Sequence, residues 1–188
     1  MQAAFDAVPR AGFLPRSARR RASYDGPISI GHGQTNSQPR TVEAMLRLLA
    51  VRPGCRVLDV GSGSAWTTAL LAHLTGSTGS VLGLEIVPDL VATGAAALQA
   101  TGFGWATIEP AQPGVLGRPE QSPFDRILVS AAAQVLPEAL LEQLADGGRL
   151  VVPVAGTMRL VVRSGDERVV TEHGSYRFVP LLTGPRTP

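Results

Sequence analysis

The sequence predicts an α/β fold in which a mostly parallel sheet carries helices on both of its faces. Apolar strands alternate with helical segments between residues 56 and 154. Two of these strands contain the aliphatic runs 127–129 and 150–152, as expected for strands that are buried on both faces. The strand at 56–60 runs directly into a glycine-rich loop, where the backbone can approach a ligand closely. Together these features indicate the doubly wound, Rossmann-like class.

The segments that precede the sheet are less regular. We expect a short helix over residues 1–8, followed by an irregular lobe over residues 9–38 that is rich in Pro, Gly, Ser and Arg. Four apolar residues then recur at helical spacing: Val42, Met45, Leu46 and Leu49. Pro39 suits the first position of this helix, with Ser37 or Gln38 as its cap. Long irregular segments in compact domains usually carry function, so the lobe is a candidate for part of the site.

The rest of the chain alternates and then ends differently. Strands are predicted at 56–60, 80–85, 105–109, 125–129 and 149–154, and helices at 65–74, 88–101 and 137–145. Residues 159–163 and 168–173 predict an antiparallel hairpin that closes one edge of the sheet, with a last strand near 176–181. We therefore expect one domain over residues 1–188, divided into the lobe (1–38), a cofactor-binding core (39–158) and the C-terminal hairpin (159–188).

The composition favours a globular, cytoplasmic protein, which we expect to be a monomer. Apolar residues make up 44% of the 188 residues, which is enough for a substantial core. No run of about eighteen apolar residues is present to span a membrane, and the N-terminus lacks the pattern of a secretory signal. The single cysteine, Cys55, excludes an internal disulfide and suits a reducing compartment.

The charge distribution gives little support to a nucleic-acid partner. The formal net charge is +2, and four arginines lie close together at positions 16, 19, 20 and 21. No aromatic residues interleave with these arginines and no recognition helix follows them, so we interpret the cluster as solvated surface. No grouping of His and Cys residues indicates a metal site.

The glycine loop favours S-adenosylmethionine over a dinucleotide. A dinucleotide site would carry a third glycine where this chain has Trp66, which argues against a pyrophosphate on the helix N-terminus. Asp59 precedes the loop, and a carboxylate there would attract the ammonium and sulfonium groups of S-adenosylmethionine. Glu85 ends the next strand at the distance where such folds bind a ribose. The predicted cofactor-binding residues are Asp59, Gly61, Ser62, Gly63, Glu85 and the adjoining Ile86.

A more specific pattern covers nearly the whole chain. It comprises Ala4 to Arg10 followed by Phe13-Leu14-Pro15, the loop Ile30-Gly31-His32-Gly33-Gln34-Thr35-Asn36-Ser37-Gln38-Pro39, Pro123 to Ala133, Pro137 to Leu141, Gly147 to Val154 and Arg177 to Leu181. In these segments the sequence resembles the protein-L-isoaspartate O-methyltransferases. The loop at 30–39 is the most specific of them and precedes the glycine-loop strand as it does in that family.

The resemblance implies a repair reaction. The family methylates the α-carboxylate of an L-isoaspartyl residue, and the ester then closes spontaneously to a succinimide that hydrolyses in part to normal aspartate. By the resemblance, Ser37 is the active-site residue, whose hydroxyl holds the substrate carboxylate rather than attacking it. Thr35, Gln38 and His32 are expected to contribute to the same substrate loop. The implied partner is an isoaspartyl-containing or aspartyl-containing protein or peptide.

Two positions depart from the family pattern. The family usually has a Gly-Asp-Gly segment after its third strand, whose acidic residue contacts the adenine side of the cofactor. Here that segment is Gln112-Pro113-Gly114, which leaves Gln112 or backbone groups to bond adenine. Ala65 stands where the glycine loop usually has its third glycine, a mild change if its φ is negative and an unfavourable one if its φ is positive.

Two alternatives to a repair enzyme remain at this stage. One is a carboxyl methyltransferase of the same fold that is dedicated to a single peptide in a modification pathway. The other is a non-catalytic homologue, in which the change at Gln112 reflects lost cofactor binding. The second alternative is opposed by the intact loop at 30–39, which we call the Ser37 loop, and by the presence of Asp59 and Glu85.

Overall fold

The structure, a computed structural model, describes residues 1–184, and its elements follow the alternating pattern of the sequence. The described helices are α1 Gln2–Ala7, α2 Pro39–Leu49, α3 Trp66–Thr75, α4 Pro88–Gln99 and α5 Glu138–Leu141. The described strands are β1 Ile28–Gly31, β2 Gln34–Asn36, β3 Arg56–Val60, β4 Ser80–Glu85, β5 Ala106–Pro110, β6 Phe124–Val129, β7 Leu144–Val154, β8 Thr157–Ser164 and β9 Glu167–Ser175. Three short 3-10 helices lie at Arg10–Phe13, Arg16–Arg21 and Pro119–Gln121.

Seven of the strands form one sheet in the order β5-β4-β3-β6-β7-β8-β9. The strands from β5 to β7 are parallel, whereas β8 and β9 are antiparallel. The chain enters this sheet at β3, moves outward to β5 and then returns to β6 on the other side of β3. Ligands of open α/β sheets bind outside the carboxyl ends of the strands, at the point where the order reverses. The residues that follow β3 and β6 are therefore the first candidates for a site.

Both faces of the sheet are buried, which confirms the interpretation of the aliphatic runs. Val57 of β3 belongs to a core cluster with residues of α2 and α3, including Leu46 and Leu70. The next residue along the strand, Leu58, belongs to a second cluster that contains Leu140 of α5. Because consecutive strand side chains point to opposite faces, this division places helices on each side of the sheet. The predicted doubly wound fold is confirmed.

The predicted helix over 137–145 is wrong in its second half, because α5 ends at Leu141 and β7 begins at Leu144. The backbone at this point pairs with the sheet instead of continuing the helix. The carbonyl of Gln143 accepts a hydrogen bond from the amide of Phe124 (2.8 Å), and the carbonyl of Leu144 accepts one from Arg163 (2.6 Å). Gly147 then adopts a φ of 69°, which a helix does not permit.

The lobe at 9–38 is more regular than expected. It holds two of the 3-10 helices and the hairpin β1–β2, whose turn has positive φ at both His32 and Gly33. The hairpin is short, so its alternation extends over too few residues to stand out in the sequence. The four clustered arginines lie in or beside the second 3-10 helix and are largely exposed.

The start of α2 and the tail also differ from expectation. Gln38 occupies the cap position of α2, but its side chain accepts a hydrogen bond from the Thr41 hydroxyl (3.2 Å) and does not cap a backbone amide. The carboxylate of Asp25 accepts the Arg40 amide instead (3.1 Å). The predicted last strand near 176–181 is wrong. Among the described residues, that segment forms an isolated bridge between Ala132 and Pro180, and the Tyr176 amide donates to the carbonyl of Gly156 (2.8 Å). The antiparallel hairpin is confirmed and is longer than predicted. Within residues 1–184, every helix is too short or too polar to cross a bilayer.

Candidate active site

A cavity lies where the strand order reverses, at the carboxyl ends of the parallel strands. It is a partly open space of about 680 Å³, a volume that includes some of the adjoining solvent. The loop after β3 supplies Gly61 and Gly63, the end of β4 supplies Glu85 and Ile86, and Ser130 follows β6. We call this space the cofactor cavity.

The glycine loop turns sharply beneath this cavity. Gly61 and Gly63 have φ values of 76° and 54°, and the amides of Gly61 and Ser62 donate to the carbonyl of Leu84 (2.9 and 3.0 Å). Ala65 also has a positive φ, 75°, and is buried at the start of α3. A left-handed conformation costs an alanine roughly 1–2 kcal/mol. The alanine at position 65, where the family usually has glycine, therefore introduces backbone strain.

Glu85 is held in one orientation by three backbone amides. Its Oε2 accepts a hydrogen bond from Gly63 (2.8 Å), and its Oε1 accepts hydrogen bonds from Ile86 (2.8 Å) and Val87 (2.9 Å). A carboxylate can accept about four hydrogen bonds, so one position remains for a ligand hydroxyl. Glu85 lines the cofactor cavity although its side chain is almost wholly buried. This geometry suits a ribose acceptor.

Asp59 lies behind the wall of the site instead of facing it. Its Oδ2 accepts hydrogen bonds from the hydroxyls of Thr67 and Thr68 (both 2.8 Å), and the Ser130 hydroxyl lies 3.4 Å from its Oδ1. The side chain is fully buried, and desolvation raises the pKa of Asp59 to about 6, with the charge of Glu85 adding to the rise and the hydroxyl hydrogen bonds opposing it. The carboxylate of Asp59 therefore cannot contact a ligand directly, and its charge would act across the layer formed by Thr67 and Ser130.

A second cavity, which we call the acceptor cleft, adjoins the first. It contains about 1420 Å³ of empty space between the Ser37 loop, the start of α2 and the segment 175–179. A small space between the Ser37 loop and the glycine loop lies beside both cavities and is lined by Ser37, Ser62 and Ser64. Thr35 and Ser130 line all three spaces, so the cofactor cavity and the acceptor cleft meet at these two residues.

The far end of the cofactor cavity is apolar. Gln112 lines it as predicted, together with Val115, Leu116, Leu181 and Leu182. The tail is held over this end by hydrogen bonds, in which the amide of Gly114 donates to Thr183 (2.7 Å) and the amide of Leu181 donates to Ala132 (2.8 Å). No side-chain carboxylate is among the cavity-lining residues at this end of the described chain. An adenine ring at this end would contact apolar side chains and the side-chain amide of Gln112.

The predicted site residues are brought together to different degrees. Gly61, Gly63, Glu85, Ile86 and Gln112 line the cofactor cavity, Ser37 and Gln38 line the acceptor cleft, and Thr35 lines both. Ser62 is buried beside them, with an Oγ that has no hydrogen-bond partner within residues 1–184. His32 is exposed at the β1–β2 turn, where its Nε2 lies 3.3 Å from a carboxylate oxygen of Asp89, and it lines none of the three spaces.

Sequence reasoning missed Ser130 and the tail residues 179–182. Ser130 follows β6, which is the neighbour of β3 in the sheet, so a β-carbon at Gly61 would lie 3.6 Å from the side chain of Ala131. The expected order of a doubly wound sheet would have given this neighbour. The tail was marked only by its resemblance to the family at Arg177 to Leu181, because it crosses the site without forming a strand.

The fold and the crevice define the class of the protein. The carboxylate of Glu85 lines a cavity at the reversal point of the sheet, and Trp66 stands where a dinucleotide site would have its third glycine. Both features fit a Rossmann-like methyltransferase. The sequence model of the protein-L-isoaspartate(D-aspartate) O-methyltransferase family matches residues 1–186, and the chain belongs to that family.

Individual relatives agree with this assignment. The protein-L-isoaspartate O-methyltransferase of Methanocella arvoryzae is 39% identical over 180 residues, which cover 94% of this chain and 95% of the relative. A solved protein-L-isoaspartate O-methyltransferase superposes with a TM-score of 0.86 at 25% identity, covering 97% of this chain and 61% of that longer chain. A Plasmodium falciparum member of the family, solved in complex with S-adenosyl-L-homocysteine, gives a TM-score of 0.85 at 26% identity and covers 97% of this chain and 89% of its own.

The raised pKa of Asp59 predicts a pH-dependent stability difference. In the unfolded chain this carboxyl ionises near pH 3.8, whereas in the folded protein it ionises near pH 6. The wild type therefore loses stability as pH rises through this window, by ~3 kcal/mol for about two pKa units. Because asparagine does not ionise, the free energy of unfolding of Asp59→Asn relative to wild type should rise by about that amount between pH 4 and pH 7. Denaturant unfolding at several pH values measures it.

The comparison has a simple control. Asp166→Asn removes one carboxylate from the hairpin turn between β8 and β9 and reports the effect of losing a surface charge on the same curve. If the difference in the free energy of unfolding between Asp59→Asn and the wild type is constant across this pH range, the assignment of a raised pKa to Asp59 is wrong.

Proposed function

We propose that this protein transfers a methyl group from S-adenosylmethionine to the α-carboxylate of L-isoaspartyl residues in proteins and peptides. The observation that carries the proposal is the junction at Thr35 and Ser130, where the cofactor cavity beside Glu85 meets the acceptor cleft beside Ser37. A methyl donor and a peptide acceptor would meet at that point. The ester product would close spontaneously to a succinimide, as this chemistry does without further help from the protein.

The residues of the cofactor cavity fit S-adenosylmethionine. Glu85 has one acceptor position left for a ribose hydroxyl, and the cavity end at Gln112 is apolar enough for adenine. When bound, the cofactor supplies the electrophilic methyl group. The contribution of the chain is to orient it, to exclude water and to place a negative charge at Asp59 behind the wall.

The acceptor cleft suits an anionic peptide. Two arginines, Arg40 and Arg177, line it, and no carboxylate is among the lining residues of the described chain. Asp25 pairs with Arg40 from outside this lining (3.3 Å), so the positive charge of the cleft is reduced rather than cancelled. An isoaspartyl carboxylate is already ionised at pH 7 and requires no general base. We assign the Ser37 hydroxyl the role of donating a hydrogen bond that holds this carboxylate in line with the methyl group.

We also propose that the protein is a cytoplasmic monomer, on the basis of its single, buried cysteine and its modest charge. A methyltransferase dedicated to one peptide remains the second candidate. The change from the family pattern at Gln112, on the nucleoside side, does not favour it over general repair, because it does not alter the acceptor cleft.

Methylation of paired peptide isomers tests the proposed function. The wild-type protein should transfer a methyl group from S-adenosylmethionine to a peptide that contains L-isoaspartate, and it should leave the otherwise identical L-aspartyl peptide unmethylated. Radiolabel transfer followed by mass analysis of the product measures both. Methylation of one unrelated peptide only would favour the dedicated enzyme, and the absence of both transfer and cofactor binding would favour the non-catalytic homologue.

Replacement of Ser37 tests its role. Ser37→Ala removes one hydrogen bond to a charged group, which is worth roughly 1.5–3 kcal/mol, so kcat/KM for the isoaspartyl peptide should fall about 10- to 100-fold. The affinity for S-adenosylhomocysteine should change less than about twofold, because Ser37 does not line the cofactor cavity. Ser29→Ala on the neighbouring strand is the matched control and should keep full activity. A collapse of cofactor affinity in Ser37→Ala would contradict the assignment.

A further inference from the structure

The guanidinium of Arg10 is buried and bonds to the segment that carries Ser37. Its Nε donates to the side-chain Oδ1 of Asn36 (2.7 Å), and its Nη2 donates to the backbone carbonyls of Asn36 (2.9 Å) and Ser37 (2.8 Å). Two further hydrogen bonds reach the carbonyls of Tyr24 (2.8 Å) and Gly26 (2.9 Å). One side chain thereby fixes both ends of the segment from Tyr24 to Ser37, including the residue assigned to the substrate carboxylate.

Burying the charged guanidinium of Arg10 costs free energy that only its hydrogen bonds to the protein can offset. The Arg10 side chain is 5% exposed, and burial lowers its pKa to about 10 against the raising effect of Asp25, so it remains charged at pH 7. Its hydrogen-bond partners are amide and carbonyl oxygens instead of a carboxylate. The guanidinium also lies over the ring of Trp66, 5.3 Å from its centroid, which places it beside the start of α3.

Asn36 extends this contact to the glycine loop. While its Oδ1 accepts from Arg10, its Nδ2 donates to the Oγ of Ser64 (3.1 Å). Ser64 directly follows Gly63, whose amide donates to Glu85 in the cofactor cavity. Asn36 is 5% exposed, so water competes little for either bond. A continuous line of hydrogen bonds therefore runs from Arg10 through Asn36 to the loop that borders the cofactor.

We propose that Arg10 is a positioning residue for the substrate loop, and that the Asn36–Ser64 bond couples occupancy of the cofactor cavity to the affinity of the acceptor cleft. The proposal rests on the function proposed above. A ligand that holds Gly63 through Glu85 also holds Ser64, and through Asn36 it favours the loop conformation in which Ser37 faces the cleft. By reciprocity, an isoaspartyl peptide should strengthen binding of the cofactor by the same factor.

Calorimetry on the complex of the intact protein measures this coupling. S-adenosylhomocysteine is titrated with and without a saturating isoaspartyl peptide, a pair that binds both sites without turnover. For the wild type, the peptide should raise the affinity for S-adenosylhomocysteine about fivefold, as expected if one hydrogen bond transmits the effect. In Ser64→Ala, which leaves the Arg10–Asn36 contact intact, the factor should fall below about twofold. Ser29→Ala should retain the wild-type factor.

Arg10→Lys tests the positioning role separately. Lysine keeps the charge but lacks the planar fork, so it cannot reproduce the Asn36, Gly26 and Ser37 contacts together. The peptide KM should rise and kcat should fall, each by about tenfold, while the affinity for S-adenosylhomocysteine in the absence of peptide stays within about twofold of wild type. Arg118→Lys provides the contrast, because Arg118 is equally buried but anchors the segment beside Gln112 through Glu109 and Pro110, so its effect should appear in cofactor affinity.

Each outcome decides the proposal. A wild type that methylates the isoaspartyl peptide but shows no coupling overturns this inference and leaves the proposed function standing, as does full coupling in Ser64→Ala. A wild type that neither binds nor methylates the peptide overturns both. If Arg10→Lys fails to fold, as thermal unfolding would reveal, the Ser64→Ala titration decides the coupling by itself.

Discussion

The clamped carboxylate of Glu85 is the interaction on which the site depends, because it ties the end of β4 to the glycine loop that follows β3. Three backbone amides hold it, one of them from Gly63, so the loop cannot move without breaking a charge-assisted hydrogen bond. The positive φ values of Gly61 and Gly63 make this approach possible, and Ala65 adopts the same unfavourable conformation to continue it. The cofactor cavity and the turn into α3 both adjoin this contact.

Glu85 and Asp59 illustrate how two carboxylates at adjacent strand ends come to differ. Glu85 is satisfied by amides and keeps an acceptor position at the cavity surface. Asp59 is fully buried, and desolvation raises its pKa, although the hydrogen bonds from the hydroxyls of Thr67 and Thr68 oppose this rise. One therefore suits direct contact with a ribose, while the other can act only by its charge, from behind Ser130. The same pair of strands thus supplies a hydrogen-bond acceptor and a supporting electrostatic group.

Periodicity predicted the sheet and its main helices, because strands buried on both faces and the apolar face of α2 leave unambiguous patterns. It failed where tertiary pairing overrides local preference, as at Gln143 and Leu144, whose carbonyls bond to other elements and end α5 early. Glu85 was found because it ends a predicted strand and Gln112 because the family resemblance points to its position, while Ser130 was missed because only the strand order brings it to Gly61. The hydrogen bonds of Arg10 could not be predicted either, since they span up to 27 positions of sequence.

The most direct test of the account is the binding of S-adenosylhomocysteine to the wild type and to Glu85→Gln, measured by calorimetry on proteins shown to be folded by circular dichroism. Glutamine would present a donor to one of the three amides and would lose the charge that strengthens the proposed hydrogen bond to a ribose hydroxyl. The account predicts clear binding by the wild type and a loss of roughly 100-fold in Glu85→Gln, with Glu43→Gln on α2 binding as the wild type does. Equal binding by Glu85→Gln, or no binding by the wild type at millimolar ligand, would contradict it.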